Sequence, residues 1–344
     1  MVRAERYLVG ILWLIGLLLV FSGKGWSQSR TVEDMAGRTV TLTRDVNRIV
    51  TTFKPSTLSL FSLGLQEKIV GIDNSSRMDR LFMAVMPGVA QLTGIGSKST
   101  GINFETIVAL RPDLVILYAQ KDGLDLAGRF ELMKIPCIII LPETFESVKK
   151  SLEVIALAAG VAERSQRVCS IMDKVLDLVE KRVGTLALDR RKTAYFASSR
   201  GLFNTATGNM LQDEIFTRAG VINVAHDLNG YFQDISPEQF MGWNPDMVIL
   251  SQHLNKSVVK QISDPALNRV TAVAKRAVFR SPSDLAPWDF PSPLAVLGTL
   301  WLANKAYPGL FRDVDINQEI DQFHLKLFGK SLSSMGGNLN DQVY

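Results

Sequence analysis

The chain has 344 residues, 38 Lys and Arg against 34 Asp and Glu, and a formal charge of +4. Two cysteines are too few for a disulfide-built scaffold, and the lack of a long basic tract argues against nucleic acid as a partner. The length suits two domains of ordinary size, each with its own core.

Arg3 and Arg6 precede an uncharged run of 15 residues from Tyr7 to Phe21, and the small residues Gly25 and Ser27 fit a cleavage site before Gln28. Residues 1–27 therefore read as an export signal. The apolar run is shorter than the ~20 residues a membrane-spanning helix needs, and no cysteine near the cleavage point suggests a lipid anchor. Loss of Arg3, Arg6, Lys24 and Glu5 with this segment lowers the charge from +4 to +2. The mature chain is expected in a periplasm.

Residues 28–160 alternate strand and helix signals: strands at 48–53, 68–72, 114–118 and 137–141, and helices at 57–65, 104–110, 126–134 and 144–159. From 161 to 186 an amphipathic stretch with apolar Val168, Ile171, Met172, Val175, Leu178, Val179 and Val183 predicts one long helix. Residues 187–330 alternate again, with strands at 192–196, 247–251 and 277–280 and helices at 210–219, 237–243, 264–270 and 293–307. Residues 281–293, rich in proline, read as a loop. Residues 331–344, with Gly336, Gly337 and several amides, read as a disordered tail.

One segment occurs twice. Glu105, Pro112, Asp113, Val115, Ile116 and Leu117 recur 133 positions later as Glu238, Pro245, Asp246, Val248, Ile249 and Leu250. Each copy runs from a short helix through a Pro-Asp turn into a strand too apolar to face water on either side. Such strands belong in parallel sheets covered by helices. The expectation is an α/β protein of two Rossmann-like parallel-sheet lobes, joined by the long helix and separated by a cleft. Asn103 and Ser236 read as helix N-caps, and Glu105 and Glu238 as first-turn acids favoured by the helix dipole.

Small molecules bind beyond the carboxyl ends of parallel strands. That rule gathers Lys54, the 73–77 loop with Arg77, the 94–100 loop and 118–121 from the first lobe. From the second it gathers Arg200, Asn204, His226, Tyr231, Gln252, His253, Arg280 and Trp288. Lys54, Arg77, Arg200 and Arg280 suit an anionic guest, while Tyr231 and Trp288 suit a planar or ring-bearing one. The proline-stiffened loop would present Trp288 and Asp289, or else cover the fold with Trp288 as its anchor. Trp243 and Trp301, at helical spacing, read as core. His226 and His253 can converge on a metal, but no close-spaced cluster of His, Cys or carboxylates supports a structural metal site. His324 reads as a surface or packing residue of the last helix, and Cys137 and Cys169 as unpaired.

The chain resembles the substrate-binding proteins of ATP-driven importers for iron–siderophores, haem and cobalamin, whose lobes are joined by one long helix. The resemblance runs from about Asn47 to Phe328. It is carried by Arg48-Ile-Val-Thr-Thr-Phe-Lys-Pro-Ser56, Leu63-Gly-Leu-Gln-Glu-Lys-Ile-Val-Gly71, Ala219-Gly-Val-Ile-Asn-Val-Ala225 and the paired repeat. It implies a monomeric periplasmic receptor that delivers a small-molecule ligand to a membrane permease with its ATPase subunits. It also implies that Glu105 and Glu238 dock on permease arginines, a two-point electrostatic register. The implied ligand is a metal complex, foremost a ferric siderophore or related iron complex. Haem, cobalamin, a nickel chelate or an oxyanion such as molybdate stand as alternatives. A two-lobed chelatase or reductase is the competing class, as is a sensor that hands its loaded form to a receptor. The chain has no Gly-rich phosphate loop, GxSxG or HExxH, so no cofactor and no enzymatic activity are expected.

Overall fold

The computed structural model describes residues 29–97, 101–119, 123–254 and 256–343. The expected export signal lies outside them, as do 98–100 and 120–121 of the candidate loops. Among the described residues no helix is long and apolar enough to cross a membrane.

The chain opens with an antiparallel hairpin, β1 (Arg30–Glu33) and β2 (Thr39–Leu42). The first main sheet follows: β3 (Ile49–Thr51), β4 (Ile69–Ile72), β5 (Thr93–Gly94), β8 (Leu114–Tyr118) and β9 (Cys137–Ile140). Its order is β5-β4-β3-β8-β9, and every pairing is parallel. A small hairpin, β6 (Gly96–Ser97) with β7 (Gly101–Ile102), interrupts it. The helices of this lobe are α1 (Lys54–Ser62), α2 (Arg80–Val85), α3 (Phe104–Ala109), α4 (Gly123–Leu132) and α5 (Phe145–Ala159). The second lobe carries β10 (Thr193–Ala197), β12 (Ile222–Asn223), β14 (Met247–Leu250) and β15 (Val278–Arg280) in the parallel order β12-β10-β14-β15. A side ribbon pairs β11 (Asn204–Ala206) with β13 (Phe232–Asp234).

Between the lobes runs α6 (Ala162–Val183), 22 residues long and hence about 33 Å. Gly160, left-handed at φ 73°, closes α5 and lets the chain turn into it. Ser165, Val168, Ile171, Met172, Val175, Leu176, Val179 and Val183 are buried along one stripe of α6, and Leu178 packs at its margin. That stripe meets α5 of the first lobe and, from the second, α7 (Leu211–Arg218) and α9 (Ala295–Ala306). Arg182 in its last turn grips Asp313 through two parallel bonds. One apolar core thus passes from lobe to lobe through the helix.

The central strands β3, β8, β9, β10 and β14 are buried on both faces, as their apolar runs predict. Leu114 and Ile116 face the shared core, while Val115 and Leu117 face a separate cluster on the outer side. In the second lobe Met247 and Ile249 point inward, and Val248 and Leu250 outward. The repeat has a structural reason. Asp113 accepts the backbone N–H groups of Asn47 and Arg48 at 2.9 Å, which fixes the start of β3 beside β8. Asp246 accepts the N–H and hydroxyl of Thr193 and does the same for β10 beside β14. Arg111 and Asn244, which precede the two prolines, both take left-handed backbone. Asn103 and Ser236 cap α3 and α8 (Pro237–Trp243) as expected.

Two expectations fail. The helix expected over 264–270 is a 3-10 turn at Pro265–Arg269. The tail is ordered along its described length. After α10 (Ile316–Phe328) it returns to the second sheet, where Phe279 bridges Gln342 and Arg280 N–H donates to the Asp341 carbonyl. The Asp341 carboxylate accepts Trp301 Nε1 at 2.8 Å and pairs with Lys305 Nζ at 2.9 Å. Specific polar partners overrode the tail's disorder-prone composition.

Candidate functional site

A cleft of ≈ 680 Å³ lies at the carboxyl ends of the strands and takes residues from both lobes. Its first-lobe wall holds Thr52, Phe53, Lys54, Pro55, Asp73, Ser75, Ser97, Tyr118 and Glu143. Its second-lobe wall holds Arg200, Met210, Leu211, Gln212, Tyr231, Phe232, Asp289, Phe290 and Pro291. The volume is ordinary for a small-molecule site.

On the first wall Phe53 stacks on Tyr118 with ring centroids 4.3 Å apart, and the Tyr118 hydroxyl donates to Glu143. Lys54 opens α1 and pairs with Asp79 at 2.7 Å. The other oxygen of Asp79 caps α2 through Leu81 N–H and Phe82 N–H. Asp73 accepts from Ser75 and from the N–H and hydroxyl of Ser76. The charges of this wall are thus held by neighbours in the same lobe.

The second wall is different. Arg200 is exposed and lies 5.7 Å from the Phe232 ring, with no carboxylate paired to it among the described residues. Tyr231 is half exposed. Gln212, in the first turn of α7, donates Nε2 to the Asp289 carbonyl at 2.8 Å, and its Oε1 meets no donor among the described residues. The same holds for Asp289 Oδ1. Asp289 is buried, and burial pushes its carboxyl up to about 6, with the Ser251 hydroxyl and backbone N–H groups offsetting part of the effect.

Lys54, Arg200 and Tyr231 therefore stand on the cleft walls, and the other four candidates do not. Arg77 donates to the Ala90 carbonyl at 2.8 Å within the first lobe. His226 is exposed outside the cleft, its Nδ1 3.0 Å from Asp213, whose carboxylate raises the imidazole pKa. Arg280 lies half-buried on β15, beneath the returning tail. Trp288 is fully buried and belongs to the core, as the anchor of a covering loop rather than a ligand contact. Trp301 is core, Trp243 packs at the edge of the outer cluster, and His324 is buried with its pKa lowered to about 4 by desolvation. Cys137 and Cys169 are both free thiols.

The residue choice missed Phe53, Glu143, Gln212, Phe232 and Phe290. Three of these aromatics adjoin residues singled out from the sequence (Lys54, Tyr231 and Asp289), so the strand-end loops supply much of the cleft lining. Gln212 had no signal beyond its position at a helix start.

Glu105 and Glu238 are exposed on the first turns of α3 and α8. Glu105 lies 4.0 Å from Arg129, which stacks over Phe104. Backbone N–H and the Ser236 hydroxyl hold the Glu238 carboxyl below its usual range.

Residues 49–285, more than half of the chain, match the periplasmic binding protein family model. The chain belongs to that family. Over 331 residues it is 25% identical to the molybdate-binding protein MolA of Haemophilus influenzae, covering 88% of this chain and 92% of that one. Over 269 residues it is 25% identical to the Fe(3+)-citrate-binding protein YfmC of Bacillus subtilis, covering 76% of this chain and 82% of that one. Among solved structures, the molybdate-bound form of MolA superposes with a TM-score of 0.77 at 22% identity, over 88% of this chain and 98% of that one. Helicobacter pylori CeuE with Ni(II) bound gives a TM-score of 0.77 at 19% identity, over 89% and 98%. This periplasmic binding protein thus shares the architecture of two parallel-sheet lobes joined by a single helix.

Proposed function

We propose that the protein is the periplasmic receptor of an ATP-driven importer. It captures a metal complex, foremost a ferric chelate, in the inter-lobe cleft and hands it to a membrane permease. The observation that carries this reading is the cleft: a two-walled cavity with aromatic rings on both sides and, at Arg200, a guanidinium with no carboxylate paired to it among the described residues. Rings pack on the organic face of a chelate, and the guanidinium balances its negative charge. Among the described residues no three His, Cys, Asp or Glu side chains gather as metal ligands, which suits a metal arriving already chelated. The names of the relatives, which bind Fe(3+)-citrate, vitamin B12 and molybdate, support this range. The molybdate-binding relative and Arg200 together keep an anionic guest of small size as a second reading.

Export would follow from removal of residues 1–27. Glu105 and Glu238, exposed at matching places on the two lobes, would engage permease cations. The test is thermal unfolding of the mature chain with ferric citrate, haem, cyanocobalamin or molybdate. A ligand of the folded form raises Tm as RT ln(1 + [L]/Kd), and no rise with any of them would remove the transport reading.

A further inference from the structure

The C-terminal tail reaches from the second lobe back to the first. After α10 it folds on that helix, where Ser333 donates its N–H and hydroxyl to Asp321 at 3.0 and 2.6 Å. Gly337 then passes so close to Leu285 and Leu332 that any side chain there would collide with both. Asp284, in the covering loop, is tied to the tail at two atoms. Its N–H donates to the Asn338 carbonyl at 3.1 Å, and its Oδ1 accepts Asn338 N–H at 2.7 Å. The other carboxylate oxygen faces the first lobe. Arg80, the first residue of α2, donates to Asp284 Oδ2 at 2.8 Å, to the Asp284 carbonyl at 3.2 Å and to the Gly336 carbonyl at 3.4 Å. Near the far end of α2, the Ala84 carbonyl accepts Lys330 Nζ at 2.7 Å.

Both sides of this contact adjoin the cleft. Asp79, which precedes Arg80, holds Lys54 of the first wall, and the covering loop runs on from Asp284 to Asp289, Phe290 and Pro291 of the second. The contact also differs in kind from the joint at α6. There the lobes share one apolar core. Here they meet through polar groups, and Arg80 is half exposed, so water can take the place of its partners.

We propose that the tail is an inter-lobe strap, which through Arg80 and Lys330 holds α2 to the covering loop and sets the width of the cleft. Opening the cleft breaks these bonds and leaves the shared core at α6 as the hinge. Exposed ion pairs are individually weak, so the strap is a catch that can be sprung while the core stays intact. This goes beyond the receptor function and holds whichever solute the cleft accepts.

The experiment measures lobe separation in the mature chain with no solute added. Pulsed electron resonance reads the distance between spin labels at Glu105→Cys and Glu238→Cys, one on each lobe, with Cys169→Ser removing the half-buried native thiol. Arg80→Met is expected to raise the share of longer separations about fivefold. Asp284→Asn should act in the same direction, and the double variant should exceed Arg80→Met by little, because the two groups act as a pair. Raising salt from about 0.05 M to about 1 M should widen the distribution of the wild type and leave that of Arg80→Met unchanged. If Arg80→Met does not fold, Asp284→Asn and the salt series on the wild type decide the matter. Single variants that match the wild type, a double variant whose effects add, or no widening of the wild type with salt would overturn the strap. Each of these outcomes leaves the receptor function standing, since no guest takes part in the measurement.

Discussion

The two walls of the cleft are built from similar lobes yet differ in how their polar groups are settled. The first wall satisfies itself: Lys54 pairs with Asp79, Asp79 caps α2, and Asp73 is filled by two serines. On the second wall, among the described residues, Arg200 has no paired carboxylate, and the buried Gln212 Oε1 and Asp289 Oδ1 meet no donor. The repeat therefore conserves the frame of each lobe, down to the Asp113 and Asp246 bonds that set the central strands, without copying the site. A cation at the mouth of a cleft can be part of the scaffold or part of the recognition surface, and its partner decides which.

Substituting the two cations separates the walls most sharply. Lys54→Met leaves the buried Asp79 carboxylate without its counter-charge and should cost about 2–4 kcal/mol of stability. Arg200→Met should change stability by less than about 0.5 kcal/mol while weakening capture of an anionic ligand. Denaturant unfolding and ligand titration of both variants test this. Equal stability losses would erase the distinction.

The next effect is a pH dependence confined to the second wall. The Asp289 carboxyl titrates near 6 when folded and near 4 when unfolded. Between these values the unfolded chain loses the proton first, so stability of the ligand-free protein falls as pH rises from about 4 to about 6, by about 2–3 kcal/mol in total. The charged groups that share the cleft with it are Lys54, already paired with Asp79, together with Asp73, Glu143 and Arg200. Asp289→Asn should remove this slope and raise neutral-pH stability. A slope that survives the substitution would place the titration elsewhere.

The smallest stability effect is expected outside the cleft. Glu105→Ala with Glu238→Ala removes two exposed carboxylates and should shift stability by less than about 0.5 kcal/mol. Ligand affinity should stay intact while uptake in cells is lost. A large fall in affinity would refute the docking role.

From the sequence alone came the lobes, the joining helix and most of the strands. Val115, Ile116 and Leu117, or Val248, Ile249 and Leu250, are apolar on consecutive positions, and only a strand covered on both faces can bury them all. The stripe of α6 repeats at helical spacing for the same local reason. Tertiary structure decided what each polar or aromatic side chain does. Lys54 meets Asp79 across 25 positions, the tail is ordered by Trp301 and Lys305 through Asp341, and Trp288 sinks into a core assembled from both lobes. Burial periodicity is a property of neighbouring residues and is written along the chain. Hydrogen-bond and charge partners are brought from far apart by the completed fold, so which groups remain open to a ligand is settled only there.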